Sequence, residues 1–275
     1  MRILNKDILP DWGNVKAKDI KRRDVLALLD EVATRGPVMA NRVLALASTI
    51  FNVGIQRELV ESNPCYRINK PGGKEKSRER VLSPEELKSV WLAMDNLQPM
   101  MATLLKVRTL TGQRGGEVCS MRWEDIDLKE HIWTIPAEVT KNKTLHRVPL
   151  TQSVIDLING TGRQDNPWIF PSTHGSSKGH IYNMQKAAQQ LKRDTGIDDF
   201  RLHDLRRTCA SILAKAGVSE FLIGKVLNHT NDSITAVYNR HSYDTEKRQA
   251  LERWAKKLRQ ILGIESPEVG KIIKM

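Results

Sequence analysis

The sequence predicts a mainly α protein with a small antiparallel β-sheet, an α+β chain in two domains. Three observations predict this. Two stretches before residue 60 place apolar residues at helical spacing. A polar, Gly-Gly-containing, charge-dense stretch, NKPGGKEKSRER at 69–80, then interrupts the pattern as a linker does. Beyond it, helical spacing gives way to the short alternating or β-branched runs HIWTIP, EVTKNKTLHRVPL and WIF, and returns from about Gly179 to Leu262. The expected division is a helical domain over 1–72, a linker over 73–80 and a second domain over 81–275.

The elements follow in order. Asp19 is placed to cap a helix through IKRRDVLALLDEVATR, with Val25, Leu28, Leu29 and Val32 on one stripe. Gly36 ends it, and Pro37 opens a second helix with Val43, Leu44, Ala47, Ile50 and Phe51 at helical spacing. Asn63-Pro64 is expected to stop that helix. Ser83-Pro84-Glu85-Glu86 reads as a capping box with proline at the first helical position. A helix from about Gln98 to Leu110 follows, and Thr111-Gly112-Gln113 breaks it, which puts Arg114 at the start of the next. The alternating runs predict a small sheet with Lys141-Asn142-Lys143 at or near a hairpin turn. The last helix carries Leu251, Trp254, Leu258 and Ile261 on one face.

Composition narrows the function. Lys and Arg number 44 against 32 Asp and Glu, a net charge of +12 and a pI near 9.7. Such a surplus suits a polyanionic partner, because cations placed on nucleic acid gain affinity by releasing counterions. The three cysteines, Cys65, Cys119 and Cys209, are scattered and show no CxxC spacing, so reduced buried thiols are expected. No apolar run is read as a membrane span, and no signal peptide or internal repeat is found.

Six side chains suit metal-free phosphodiester cleavage. They are Arg114 in TGQRGGEV, Lys141 in VTKNKTLHRVPL, His203 and Arg206 in RLHDLRRT, His229 in VLNHT and Tyr238 in AVYNRH. Guanidinium forks match phosphate oxygens, and preorganised donors there lower the barrier. A phenol with pKa near 10 attacks phosphorus once its proton is removed. Lysine and histidine can move that proton. His203 and Arg206 are three apart on a predicted helix and so share a face. Arg207 points elsewhere. The two histidines could instead form a zinc pair, but no HExxH, CxxC or close carboxylate cluster accompanies them.

These motifs resemble the tyrosine recombinase family, and TGQRGGEV, HRVPL, LHDLRRT and AVYNRH look most like its prophage integrase subgroup. The family pattern is an arginine with an acidic residue three on, a hairpin lysine, an HxxR, a later His or Trp, and a tyrosine nine beyond that. Arg114 and Glu117, Lys141, His203 to Arg206, His229 and Tyr238 match it. The resemblance covers roughly residues 80–262 by motif and 1–76 by general pattern only. It implies that Tyr238 is the nucleophile and forms a 3′-phosphotyrosine with a free 5′-hydroxyl; Tyr243 lies off the spacing. Arg114 and Arg206 would hold the phosphate. Lys141, preferred over Lys143, would be the general acid. His203 would exchange a proton with Tyr238 or donate to phosphate, and His229 would hydrogen-bond it. Glu117 would orient the site, form an i,i+3 salt bridge, or do both.

Further expectations follow from the resemblance. The linker joins two domains that clamp duplex DNA, and Lys143 is a candidate phosphate contact. The basic run Lys16, Lys18, Lys21, Arg22 and Arg23 either contacts phosphates from the other side of the duplex or is a solvated helix start. The reaction uses no metal or nucleotide cofactor. The partners are double-stranded DNA, a homotetramer on that DNA and, in addition, DNA-bending factors from the host or the element; no membrane is involved and the location is cytoplasmic. The last helix and the tail IESPEVGKIIKM either dock on a neighbouring protomer or pack on their own domain. Prophage members carry a preceding domain that binds arm-type DNA sites, so a shortened N-terminus is expected. Three other activities compete with site-specific recombination: a type IB topoisomerase-like relaxase, a catalytically silent DNA-binding or architectural factor, and a metal-dependent nuclease.

Overall fold

A computed structural model of the protein describes residues 2–75, 78–162, 165–172, 178–229 and 241–264. The chain divides into two compact units, Met1–Arg78 and Glu79–Met275.

The first unit is helical. Short helical turns at Leu4–Ile8, Leu9–Trp12 and Ala17–Asp19 lead into α1 (Arg22–Arg35) and α2 (Pro37–Gln56). Asp19 does not cap α1. It closes the preceding turn, and Asp24 accepts the Lys21 backbone N–H at 2.7 Å from inside the first helical turn. The core forms where Val25, Leu28, Leu29 and Val32 of α1 meet Ala40, Val43, Leu44, Ala47 and Phe51 of α2. Fully burying each of the larger side chains contributes roughly 1.5–3 kcal/mol. Ile50 departs from the expected stripe and stays 41% exposed.

α2 ends before Asn63-Pro64. Glu58 adopts a left-handed φ of 58°, Leu59 N–H bonds Gly54 O at 2.8 Å and Glu58 N–H bonds Ile55 O at 3.0 Å. That pair of bonds satisfies the last carbonyls in a Schellman arrangement. Asn63 instead folds the following loop back, donating to Ser48 O at 3.1 Å and Asn52 Oδ1 at 2.7 Å. α2 also corrects the expectation of no long apolar run: its 20 residues include an 18-residue window of mean hydropathy 1.4, long and apolar enough by length and composition to cross a membrane. Its inner stripe is packed on α1, as in the core helix of a small bundle. Asn41 on α2 holds the start of the linker, accepting from Gly72 N–H at 2.9 Å and donating to Gly73 O at 3.2 Å.

The second unit opens on α3 (Pro84–Ala93). Ser83 and Glu86 form the reciprocal box: Glu86 N–H to Ser83 Oγ is 3.1 Å and Ser83 N–H to Glu86 Oε2 is 2.9 Å. α4 (Pro99–Thr111) is buried on nearly every side from Ala102 onward, the position of a central core helix. Gly112 turns the chain at a φ of +67°, and a Cβ there would stand 3.0 Å from Leu227 and 3.1 Å from Cys209. α5 (Gly115–Cys119) follows.

The antiparallel sheet runs β1 (Ile126–Asp127), β2 (Ile132–Ile135), β3 (His146–Pro149), with Trp133 opposite Val148 and Ile135 opposite His146. The run WIF forms no strand. Trp168 makes a single bridge to Arg122, and Ile169 N–H bonds Met121 O at 3.0 Å. Pro167 and Pro171 flank this run and lack the N–H groups a ladder needs.

Helices α6 (Gln152–Asn159), α7 (Gln185–Thr195), α8 (Leu202–Lys215), α9 (Glu220–Val226) and α10 (Asp244–Leu262) complete the described chain. α10 packs on its own unit: Leu251, Trp254 and Leu258 are buried, and Trp254 Nε1 donates to Thr109 O at 2.9 Å. Of the two expectations for this segment, packing on its own domain is seen for the helix. The tail after Ile264 lies outside the described residues.

Candidate active site

The site is assembled around the C-terminal end of α9. A helix end leaves carbonyls without intrahelical donors and carries the negative pole of the helix dipole. Three successive carbonyls here receive side-chain donors. Val226 O accepts from Gln113 Nε2 at 2.9 Å and lies 3.2 Å from His146 Nε2. Leu227 O accepts from Arg206 Nη2. Asn228 O accepts from Arg114 Nη2 at 3.0 Å and Asn142 Nδ2 at 2.7 Å. Asn228 has the left-handed φ of 50° that turns the chain into His229.

Arg114 is the N-cap of α5, as its place after Gly112-Gln113 predicts. Buried Glu117 accepts from its backbone N–H and from its Nη1, both at 3.0 Å. The acidic residue therefore both orients the arginine and pairs with it. Arg206 is buried on α8, and its Nη1 donates to Gly112 O at 2.9 Å. Backbone carbonyls thus hold this guanidinium without neutralising it. Burial first, and the Arg114 charge second, pull its pKa down to about 10, which leaves it cationic at neutral pH. Two neighbouring guanidinium groups with one carboxylate between them leave a positive excess suited to an anion.

His203 sits one turn before Arg206 on α8, exposed. Partial desolvation of its ring, then the charges of Arg207 and Arg206, hold its pKa below the usual value. His229 is shifted the same way, by burial and then by Arg206 and Arg114. Both imidazoles are therefore neutral at pH 7, free to accept a proton or to donate from one nitrogen. Arg207 turns aside to Asp204 at 2.9 Å, as expected.

Lys141 and Lys143 are exposed in the loop between β2 and β3. Thr140 Oγ1 accepts from Thr144 N–H at 3.0 Å and closes the turn, in which Lys143 takes a φ of 53°. Asn142 between them ties the loop to Asn228. Arg114, Arg206, His229 and the Lys141 loop thus converge on one turn, with His203 on the face of α8 that carries Arg206. Tyr238 lies outside the described residues. In the first unit, Lys16, Lys18, Lys21, Arg22 and Arg23 are exposed. Arg22 is engaged within the fold, donating to Tyr66 O at 2.5 Å and Arg67 O at 3.2 Å. Arg23 lies 3.6 Å from Asp24, and Lys21 Nζ donates to Lys18 O at 3.1 Å.

Gln113, Asn142, Asn228 and His146 were not singled out from the sequence. They act on or through backbone carbonyls, which every residue carries, so composition held no signal for them. His146 is 5% exposed beneath the site, and burial first and Lys247 second lower its pKa to about 3. The unfolded imidazole titrates near 6.5. A depressed folded value means the stabilisation is complete above pH 6.5 and is lost as pH falls toward 3. His146 alone should remove about 2 kcal/mol of stability between pH 7 and pH 5. Urea midpoints of the wild type and His146→Gln at both pH values check this; parallel pH dependence in the two proteins would contradict it.

The comparisons with known proteins agree with this fold and this set of side chains. Residues 80–245 match the phage integrase family and residues 1–71 match the phage integrase central domain. The chain belongs to the phage integrase family, the tyrosine recombinases of prophage type that its motifs resemble. It is similar to prophage integrase IntZ of Escherichia coli (strain K12), 26% identical over 265 residues, covering 94% of this chain and 65% of that protein. It is also similar to the ICEBs1 integrase of Bacillus subtilis (strain 168), 22% identical, covering 91% of this chain and 75% of the other. The chain spans 65% of the length of IntZ and 63% of prophage integrase IntA, under two thirds of each. Among solved structures, a lambda integrase dimer bound to a COC′ core site superposes with a TM-score of 0.65 at 18% identity, covering 83% of this chain and 86% of that one. The Tn1549 transposon integrase in complex with circular intermediate DNA gives 0.62 at 16% identity, covering 89% of each chain. At these identities the likeness is one of fold.

Proposed function

We propose that this protein is a site-specific DNA recombinase that integrates and excises a mobile element through a 3′-phosphotyrosine intermediate. The observation that carries the reading is the pairing of Arg114 and Arg206, oriented by consecutive carbonyls at one helix end and short of negative charge. Their forks bind the nonbridging oxygens of the scissile phosphate. The Tyr238 phenolic oxygen attacks phosphorus and the bond to the 5′-oxygen breaks. Lys141 gives that leaving oxygen a proton, producing a free 5′-hydroxyl. The phenol's proton passes to His203, whose depressed pKa leaves it neutral and able to accept. His229 hydrogen-bonds the phosphate. Rejoining reverses each step, and the phosphotyrosine conserves the bond energy, so the reading calls for no nucleotide and no metal.

The same reading places the protein in the cytoplasm, acting on double-stranded DNA as a tetramer, aided by DNA-bending factors. Lys16, Lys18, Lys21, Arg22 and Arg23 in the first unit, and Lys143 in the second, are the proposed additional phosphate contacts. The division into a helical DNA-binding domain, a linker over 73–80 and a catalytic domain belongs to this proposal too. Support comes from the family membership and from relatives such as IntZ and IntA, which are named prophage integrases.

The test is covalent trapping. A nicked duplex built on the direct repeat that bounds the integrated element, incubated with wild-type protein in EDTA, should yield a protein–DNA adduct whose crosslinked peptide contains Tyr238. Relaxation of any supercoiled plasmid without a defined site would point instead to a relaxase. Tight binding with no cleavage would point to an architectural factor, and activity that magnesium restores after EDTA to a nuclease.

A further inference from the structure

Arg108 lies on α4, six residues before Arg114, and is 5% exposed. Its Nε has no hydrogen-bond partner, and its Nη1 rests 3.8 Å from the Met184 thioether. Among the described residues no carboxylate or carbonyl pairs with it. Burial lowers its pKa to about 10, which still leaves it charged at neutral pH. A buried, unpaired cation is among the most destabilising features a core can hold, and structures keep one where a ligand supplies the missing charge.

The guanidinium lines a cleft of about 500 Å³ beside the site. Lys192 of α7, Arg201 just before α8 and Gln185 share its walls, with Met184 and Phe200 on the apolar side, and none of its lining residues is acidic. Lys192 leans on Asp198 O at 2.5 Å, while Arg201 is exposed. The cleft adjoins the candidate site in three ways. Leu202, next to His203, lines it. The charge of Arg108 is felt by both His203 and Arg206. A Cβ on Gly115, the residue after Arg114, would stand 3.1 Å from Arg108 Nη1 and 2.5 Å from Met184 Cε, so the guanidinium is wedged against the start of α5.

We propose that this cleft is a second phosphate site, which holds a backbone phosphate of bound DNA beside the one gripped by Arg114 and Arg206. Arg108 is its buried donor and Arg201 and Lys192 its rim; Met184 and Phe200 face the attached sugar. The proposal rests on the recombinase reading only for the identity of the polyanion.

The test uses the full chain and a random-sequence duplex, so it needs neither a recombination site nor cleavage. Each phosphate contact adds about 0.9 to the slope of log K against log salt. Arg108→Met should lower that slope by about 0.9 and melt at or above the wild type, because an apolar chain of similar length replaces an unpaired charge. A slope unchanged in Arg108→Met overturns the proposal, and so does a variant that melts well below the wild type with its slope intact, since the guanidinium then serves packing. Arg201→Gln, exposed and neutral to the fold, should lower the slope by a similar step; no change there also counts against the site. Inorganic phosphate, titrated calorimetrically, separates the sources: binding that Arg108→Met abolishes, with the DNA slope untouched, would make free phosphate the ligand and overturn the DNA assignment. A lowered slope in Arg108→Met, together with a wild type that forms no adduct on the element's repeat, leaves this site standing and removes the recombinase reading.

Discussion

Tyr238→Phe should abolish covalent adduct formation on a nicked site duplex, by on the order of 10⁴-fold or more, while affinity for the duplex and melting temperature stay at wild-type values. The substitution removes one oxygen, and in the proposed mechanism that oxygen is the atom that bonds phosphorus. Tyr243 provides the control. It stands at the N-cap of α10 with a left-handed φ of 54°, its ring edge-on to Phe221 at 5.3 Å and to His241 at 4.6 Å. Lys225 also lies over that ring at 5.6 Å. These contacts make it an anchor for the helix start, so Tyr243→Phe, which keeps the ring, should still form the adduct. Adduct from Tyr238→Phe together with its loss in Tyr243→Phe would transfer the nucleophile from one tyrosine to the other.

The parts of this molecule that were legible in the sequence are those whose cause is local. The Ser83–Glu86 box and the Arg114–Glu117 cap each close within one helical turn, so residue type and spacing specify them. The stripe of Val25, Leu28, Leu29 and Val32 followed from helical period alone. The misses share the opposite property. α2 stops at Gln56 because Glu58 accepts a left-handed backbone, a choice a non-glycine residue does not advertise. WIF looked like a strand by composition, but flanking prolines leave it a single bridge. The site shows the same split. Its charged side chains stood out by type and spacing. What aims them, the carbonyls of Val226, Leu227 and Asn228, could not stand out, because their role comes from where α9 ends in space. Arg108 was hidden for a related reason. On a basic chain an arginine inside an apolar helix reads as surface charge until the structure shows it buried with no carboxylate or carbonyl partner among the described residues.

Arg206→Ala should be damaged twice over, and the two losses can be read separately. Arg206 is a donor to two carbonyls from different elements, Gly112 O at the turn after α4 and Leu227 O at the end of α9. Alanine leaves both without that donor in a buried setting, and each unsatisfied group costs about 1–3 kcal/mol. Denaturant midpoints should therefore fall by the equivalent of about 2–6 kcal/mol in total. Removal of a buried cation beside Arg114 offsets part of this, which places the expected value toward the lower end. The catalytic loss is independent: one missing phosphate donor costs about 10²–10³ in the rate of adduct formation. Measured at a temperature where the variant is fully folded, single-turnover cleavage isolates that term. Arg206→Lys sharpens the distinction. It keeps the charge but presents a point donor in place of a planar fork, so it cannot serve both carbonyls and a phosphate together. It should recover part of the stability and little of the rate. Cleavage by Arg206→Ala within tenfold of the wild type would mean that this guanidinium only ties α8 to the two turns, and that the phosphate is held by other groups.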